Sequence, residues 1–207
     1  MINRLGCASL AALIILGACA HEAGVPMAQR APAGPATATT ETFSVRLFGQ
    51  TLGQLVAIRT GDTVSVDYEY RNNGRGPTLA ETIRLGPDGL PVSWTIRGTT
   101  TFGNQIQETF SLEGGVASWT DTTGSSAAAM TGPTIYVPQN ASPYAFAVYA
   151  GALLADADGS LPAWPAGTLS ISPLETVRLE GAGGPVEAAA YALVGNDTDP
   201  GYFLLDE

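Results

Sequence analysis

The chain has 207 residues, 45% of them hydrophobic, which allows one sizeable packed domain with appendages and is too apolar for a wholly disordered polypeptide. Nineteen acidic residues stand against nine basic ones, all Arg, for a formal charge of −10. Such a surface repels phosphate backbones, so no nucleic-acid partner is expected, and the acidity itself is read as solubility.

The only His is His21 and the only cysteines are Cys7 and Cys19, all ahead of the stretch with a folding pattern. No disulfide and no metal or other cofactor is therefore expected in the fold. The N-terminus has the parts of an export signal, with Arg4 in a short basic start, an apolar run over residues 5–16, then small residues. It is too short and wrongly flanked for a spanning helix. Leu16-Gly17-Ala18-Cys19 resembles the lipobox of bacterial lipoproteins, which implies a signal peptide over residues 1–18 and a lipid on Cys19. The other reading is plain secretion with cleavage after Ala18-Cys19-Ala20; under both, Cys7 is discarded.

Residues 19–41 are rich in Ala, Pro, Gly and Thr and lack apolar period, the composition of a flexible tether. The β domain is expected over residues 42–207, with strands over 42–48 and 52–59. Residues 64–119 organise it. Val64, Val66, Tyr68, Tyr70, then Ile83, Leu85, then Leu90, Val92, Trp94, Ile96 keep a period of two, the mark of half-buried antiparallel strands. Gly86-Pro87-Asp88-Gly89 is a hairpin turn, and Gly114-Gly115 as a two-residue loop places Leu112 opposite Ala117 and Phe110 opposite Trp119. Residues 71–77 are too rich in Gly and Pro to continue a strand, and residues 121–131 read as a loop.

Thr134-Ile135-Tyr136-Val137 reads as a short strand closed by Pro138. Ser142 as N-cap, Pro143 at the first helical position, and Phe146, Tyr149, Ala150 and Leu153 at helical spacing predict one helix covering the sheet. Strands resume over 168–171, 174–179 and 186–194. Residues 202–205 read as a further strand, which pairs with 186–194 if the chain ends here and finds its partner beyond Glu207 if it does not. The predicted fold class is mainly β, an antiparallel meander forming a curved sheet, half-barrel or sandwich under one helix.

Chemistry is constrained by what is missing. After residue 21 there is neither His nor Lys, so the usual metal-hydrolase ligands and the usual Ser, Cys or Thr dyads are excluded from the domain. Carboxylates remain. Glu69 and Glu81 on neighbouring strands are the candidate acid–base pair, but the favoured reading places both on the solvated face, paired with Arg71 and Arg84. Asp121-Thr122-Thr123-Gly124 has one residue too many for the Asp-Thr-Gly of aspartic proteases. Asp197-Thr198-Asp199-Pro200-Gly201 and Asp156-Ala157-Asp158-Gly159 lack the downstream Glu of a calcium loop and read as turns. Arg75, held between Gly74 and Gly76-Pro77, is expected to cap nearby carbonyls or pair with Glu69 or Glu81.

Tyr68-Glu69-Tyr70, Gly74-Arg75-Gly76-Pro77-Thr78-Leu79-Ala80-Glu81 and Leu85-Gly86-Pro87-Asp88-Gly89-Leu90-Pro91-Val92 together resemble the N-terminal β-rich module of exported bacterial amidohydrolases of the imidazolonepropionase-like kind. Glu108-Thr109-Phe110-Ser111-Leu112, Ala117-Ser118-Trp119 and Tyr136-Val137-Pro138 agree with it. The resemblance covers most of residues 42–207 and stops short of the metal-dependent barrel that follows in those enzymes, so no catalytic residue carries over. It implies a non-catalytic module, stand-alone or part of a longer chain, on the periplasmic face of the envelope, held to the outer membrane by a lipid on Cys19, with a hydrolase domain as partner. The alternative is a half-barrel lipoprotein holding an apolar ligand or lipid, lined by Tyr68, Tyr70, Trp94, Ile96, Phe110 and Trp119; the same residues serve equally as core.

Overall fold

The computed structural model describes residues 37–181, 184–195 and 198–206. The chain divides into two units, Met1–Gly34 and Pro35–Glu207. The first unit, with the signal peptide and Cys19, lies outside the described residues, as does nearly all of the tether.

Eight strands follow one another as an antiparallel meander: β1 (Ala38–Leu47), β2 (Gln50–Thr60), β3 (Thr63–Tyr70), β4 (Thr78–Leu85), β5 (Pro91–Thr99), β6 (Gln105–Glu113), β7 (Val116–Asp121) and β8 (Gly124–Ala129). The alternating apolar residues make this sheet one-sided. Val64 opposes Ile83, Ile83 opposes Trp94, Trp94 opposes Phe110 and Phe110 opposes Trp119, so one buried row crosses five strands. The Gly114-Gly115 hairpin has the expected register, and both glycines take the positive φ (57° and 77°) that a two-residue turn needs. Strand β8 was expected to be loop. Its small residues, Gly-Ser-Ser-Ala-Ala-Ala, give no apolar period, yet the backbone pairs with β7 across Thr122-Thr123, where Asp121 Oδ1 accepts from Thr123 N and Oγ1 at 2.7 and 2.6 Å.

A second sheet holds β9 (Ile135–Tyr136), β10 (Ser160–Trp164), β11 (Thr168–Pro173), β12 (Val177–Gly181), β13 (Gly184–Gly195) and β14 (Thr198–Asp206). Strands β11 and β12 lie end to end along one side of β13, and β14 pairs along the other. The strand expected over 174–179 begins only at Val177, and residues 174–176 link β11 to β12. Strands β9 and β10 are parallel, because the intervening helix α1 (Ala145–Ala155) carries the chain back to the same end.

Helix α1 begins later than its sequence signals. Tyr144 is the N-cap, and i→i+3 bonds from Ala145 N to Ser142 O (3.1 Å) and Phe146 N to Pro143 O (3.1 Å) form a tight lead-in turn, within which Ser142 Oγ accepts from Tyr144 N (3.3 Å). The helix is apolar on all sides, as a helix covered on more than one face must be. Tyr149 meets Trp94 of the first sheet at 6.4 Å between ring centroids. Phe146 lies against Gly201 of the second, where its ring leaves no room for a Cβ. The mainly β, antiparallel architecture with one covering helix is the class the sequence indicated.

Candidate functional site

The site is built around two glutamates that the alternation carries inward. Glu81 follows Leu79 and precedes Ile83 at a spacing of two, and Glu108 stands likewise between Ile106 and Phe110. Each opposes Ile96 from its own side of β5, so their Cα atoms are two strand spacings, about 10 Å, apart on one face. Glu81 is 3% exposed and Glu108 1%. This corrects the solvated reading of Glu81. It also dissolves the expected pair, because Glu69 opposes Thr78 while Glu81 opposes Val66, a parity that sends the two to opposite faces.

Both carboxylates face the segment that leads into α1. Glu81 Oε1 accepts from Ser142 N and Oε2 from Trp94 Nε1 (2.9 Å). Glu108 Oε1 accepts from Asn140 Nδ2 (2.6 Å) and Oε2 from Asn140 N (3.3 Å). All four oxygens are thus occupied by neutral donors. Burial pushes the carboxyl pKa of Glu81 above its ordinary range, a rise that the Ser142 and Trp94 donors oppose and the charge of Glu108 assists. Burial does the same to Glu108, opposed by Asn140 and assisted by Asp121. Tyr136 and Tyr149 are raised by burial and by the same glutamate charges. Asp121 moves the other way, held low by the Thr123 hydroxyl.

The wall these glutamates fasten, residues 137–143, borders an open cleft of about 530 Å³. Tyr68, Tyr70, Leu79, Ile106, Phe146 and Tyr149 line it from the sheet and the helix. Tyr68 and Tyr70 stand 6.0 Å apart, tilted by 55°. Trp94, Ile96, Phe110 and Trp119 are placed in the closed core, where Phe110 stacks on Tyr136 at 4.3 Å. Neither Glu81 nor Glu108 borders the cleft.

The capping expected of Arg75 is found at Arg71. Arg71 does the capping, donating to Gly76 O and to Thr78 Oγ1 (3.0 Å), so it is not the partner of Glu69 or Glu81. Arg75 is exposed and meets Asn72 through its backbone, in a turn where Asn73 and Gly74 take positive φ. Asp156 Oδ1 accepts from Asp158 N (3.0 Å) and Ser160 N (3.3 Å), which closes the turn after α1. Among the described residues no three His, Cys, Asp or Glu side chains converge as a metal site, and no helix is long and apolar enough to cross a membrane.

Fold and site together define a two-sheet antiparallel β protein with a helix between the sheets and a carboxylate-fastened cleft wall. No protein-family model, curated protein or solved structure matches the chain.

Proposed function

We propose that the chain is a non-catalytic exported β-module, anchored in the outer membrane by a lipid on Cys19 and facing the periplasm, and related to the N-terminal region of amidohydrolases. The observation that carries this reading is the state of the two inward glutamates. Among the described residues, the two buried carboxylates, in a domain without His or Lys, have every oxygen engaged by Trp94 and by the 140–142 segment, away from the cleft. A general base must lie within reach of a substrate proton, and neither of these carboxylates borders the cleft. The test is hydrolysis of amide and ester substrates by the purified chain with and without added zinc. No turnover above buffer is expected, and turnover abolished by Glu81→Gln or Glu108→Gln would overturn the reading. For the anchor, the mass of the N-terminal peptide from the membrane fraction should show acylated Cys19, and Cys19→Ser should release the protein to the soluble fraction; an unacylated Cys19, or cleavage after Ala20, contradicts it.

A second reading, an apolar ligand held by a half-barrel lipoprotein, is favoured by one observation, the aromatic lining of the cleft. Its ligand would lie between Tyr68, Tyr70 and Phe146 instead of among the tryptophans. Quenching of Trp94, which touches the cleft-lining Tyr149, by a brominated fatty acid supports it; unchanged fluorescence removes it.

A further inference from the structure

The cleft bordered by residues 137–143 does not end at its aromatic walls. Thr78 opposes Thr99, so the turn joining β3 to β4 and the turn joining β5 to β6 lie side by side at one end of the meander. Thr101, half-buried in the second of these turns, lines the cleft. It also lines two hollows between the turns, one with Arg71, Arg75 and Phe102 and one with Tyr70 and Arg75. Aromatic and cationic linings therefore meet at one side chain. Although the chain has nineteen acidic residues, no Asp or Glu among the described residues lines the cleft or either hollow.

Both turns are fixed by their own bonds. Asn72 and Arg75 exchange backbone bonds of 2.7 and 3.0 Å across Asn73-Gly74. Thr100 N donates to Asn104 O (2.9 Å), and Thr100 Oγ1 accepts from Phe102 N (3.3 Å) and Asn104 N (3.2 Å). The polar side chains they carry are not spent alike. Arg71 donates to Gly76 O and Thr78 Oγ1, whereas the Arg75 guanidinium and the Thr101 hydroxyl have no hydrogen-bond or ion-pair partner among the described residues. A lone exposed guanidinium is common on protein surfaces; this one stands on a closed turn at the mouth of an aromatic cleft.

We propose that the cleft takes a single-chain amphiphile with an anionic head, a long-chain carboxylate or a monoacyl phosphate lipid, its chain along Tyr68, Phe146 and Tyr149 and its head at Arg75 and Thr101. This rests on the reading that the cleft holds an apolar ligand, and adds the head group to it. The volume of about 530 Å³ lies within the range of small-molecule sites, about 300–1,000 Å³. Arg75 offers a planar fork of donors that matches carboxylate and phosphate oxygens, with the Thr101 hydroxyl as a further donor. The net charge of −10 opposes any anion, but beyond about 8 Å it is screened at physiological salt, so the nearest guanidinium decides.

The test uses three probes brominated at mid-chain, each below its micellar concentration: stearate, the corresponding alcohol and the monoacyl glycerol phosphate. Quenching of tryptophan fluorescence in the full chain is followed, with Trp94 reporting through the cleft-lining Tyr149. The two anions should bind with a Kd of about 1–100 μM, at least about tenfold more tightly than the alcohol, and the advantage should shrink with salt. The tighter anion names the source as fatty acid or lysophospholipid, and either supports the proposal. Arg75→Gln should erase the advantage without changing alcohol binding or the melting temperature, and Arg84→Gln, at the far end of β4, should leave it intact. Equal binding of alcohol and anions by the parent, or an advantage that survives Arg75→Gln, overturns the head-group site and leaves the apolar-ligand reading standing. Equal loss in Arg84→Gln would assign the advantage to overall charge and overturn it as well. Quenching by none of the three removes the apolar-ligand reading and the proposal together.

Discussion

The two sheets use similar residues and finish differently. In the central meander strands β3–β6, apolar side chains alternate with polar ones, and one face is buried while the other carries Thr, Ser, Arg and Glu. In the second sheet the face bearing Leu169, Leu193 and Phe203 joins the core, while Val177, Leu179, Val186 and Leu204 stay exposed on the other. Burial of apolar surface is the main stabilising term in folding, so β3–β6 contribute more of it than the outer face of the second sheet. Stability should therefore be concentrated in the central meander strands and the helix packed on them more than in the second sheet.

Substitutions can break or sharpen that contrast. Trp94→Ala removes the largest fully buried side chain and a donor to Glu81, and should cost about 3–5 kcal/mol in urea unfolding, a large share of an ordinary total of about 5–15 kcal/mol. A loss of less than about 1 kcal/mol would mean that the meander is not the stable half. Asn140→Ala withdraws one donor from the buried Glu108 and should cost about 1.5–3 kcal/mol, measured the same way. Arg71→Ala frees a part-buried carbonyl at Gly76 and should cost no more than about 1 kcal/mol. Tyr202→Ser on the outer face should stay within about 0.5 kcal/mol of the parent. An outer-sheet loss as large as that at Trp94 would erase the distinction between the sheets.

Much of the meander is legible in the sequence because period two and turn glycines are local signals. The Phe110–Trp119 pairing follows from Gly114-Gly115 alone. Helix α1 is visible as an apolar run, but its start slips because the stretch from Ser142 closes first on i→i+3 bonds, a tight turn ahead of the helix. Strand β8 is invisible, since small residues on a sheet edge pair through backbone and carry no pattern. The parallel β9–β10 contact depends on a crossover that no short motif encodes. The glutamates are the instructive case. Glu81 and Glu108 sit in phase with Leu79, Ile83, Ile106 and Phe110, so the period that located the core residues also placed two acids among them. Charge suggested solvent; phase pointed inward, and the donors of the 140–142 segment make the inward position tenable.

The most direct measurement of that central claim is the stability of the parent chain minus that of the Glu81→Gln, Glu108→Gln double variant, taken by urea unfolding between about pH 4 and pH 8. Burial raises both carboxyl pKa values in the folded state, so above the ordinary carboxylate pKa of about 4.3 the native state holds more protons than the unfolded chain. The sign follows. The contribution is fully present below the unfolded value and is lost as pH rises through the folded ones, so the difference should be lower at pH 8 than at pH 4. A difference that is flat or rises across this window would mean that the two carboxylates are solvated or ion-paired, and would contradict their role as buried fasteners of the cleft wall.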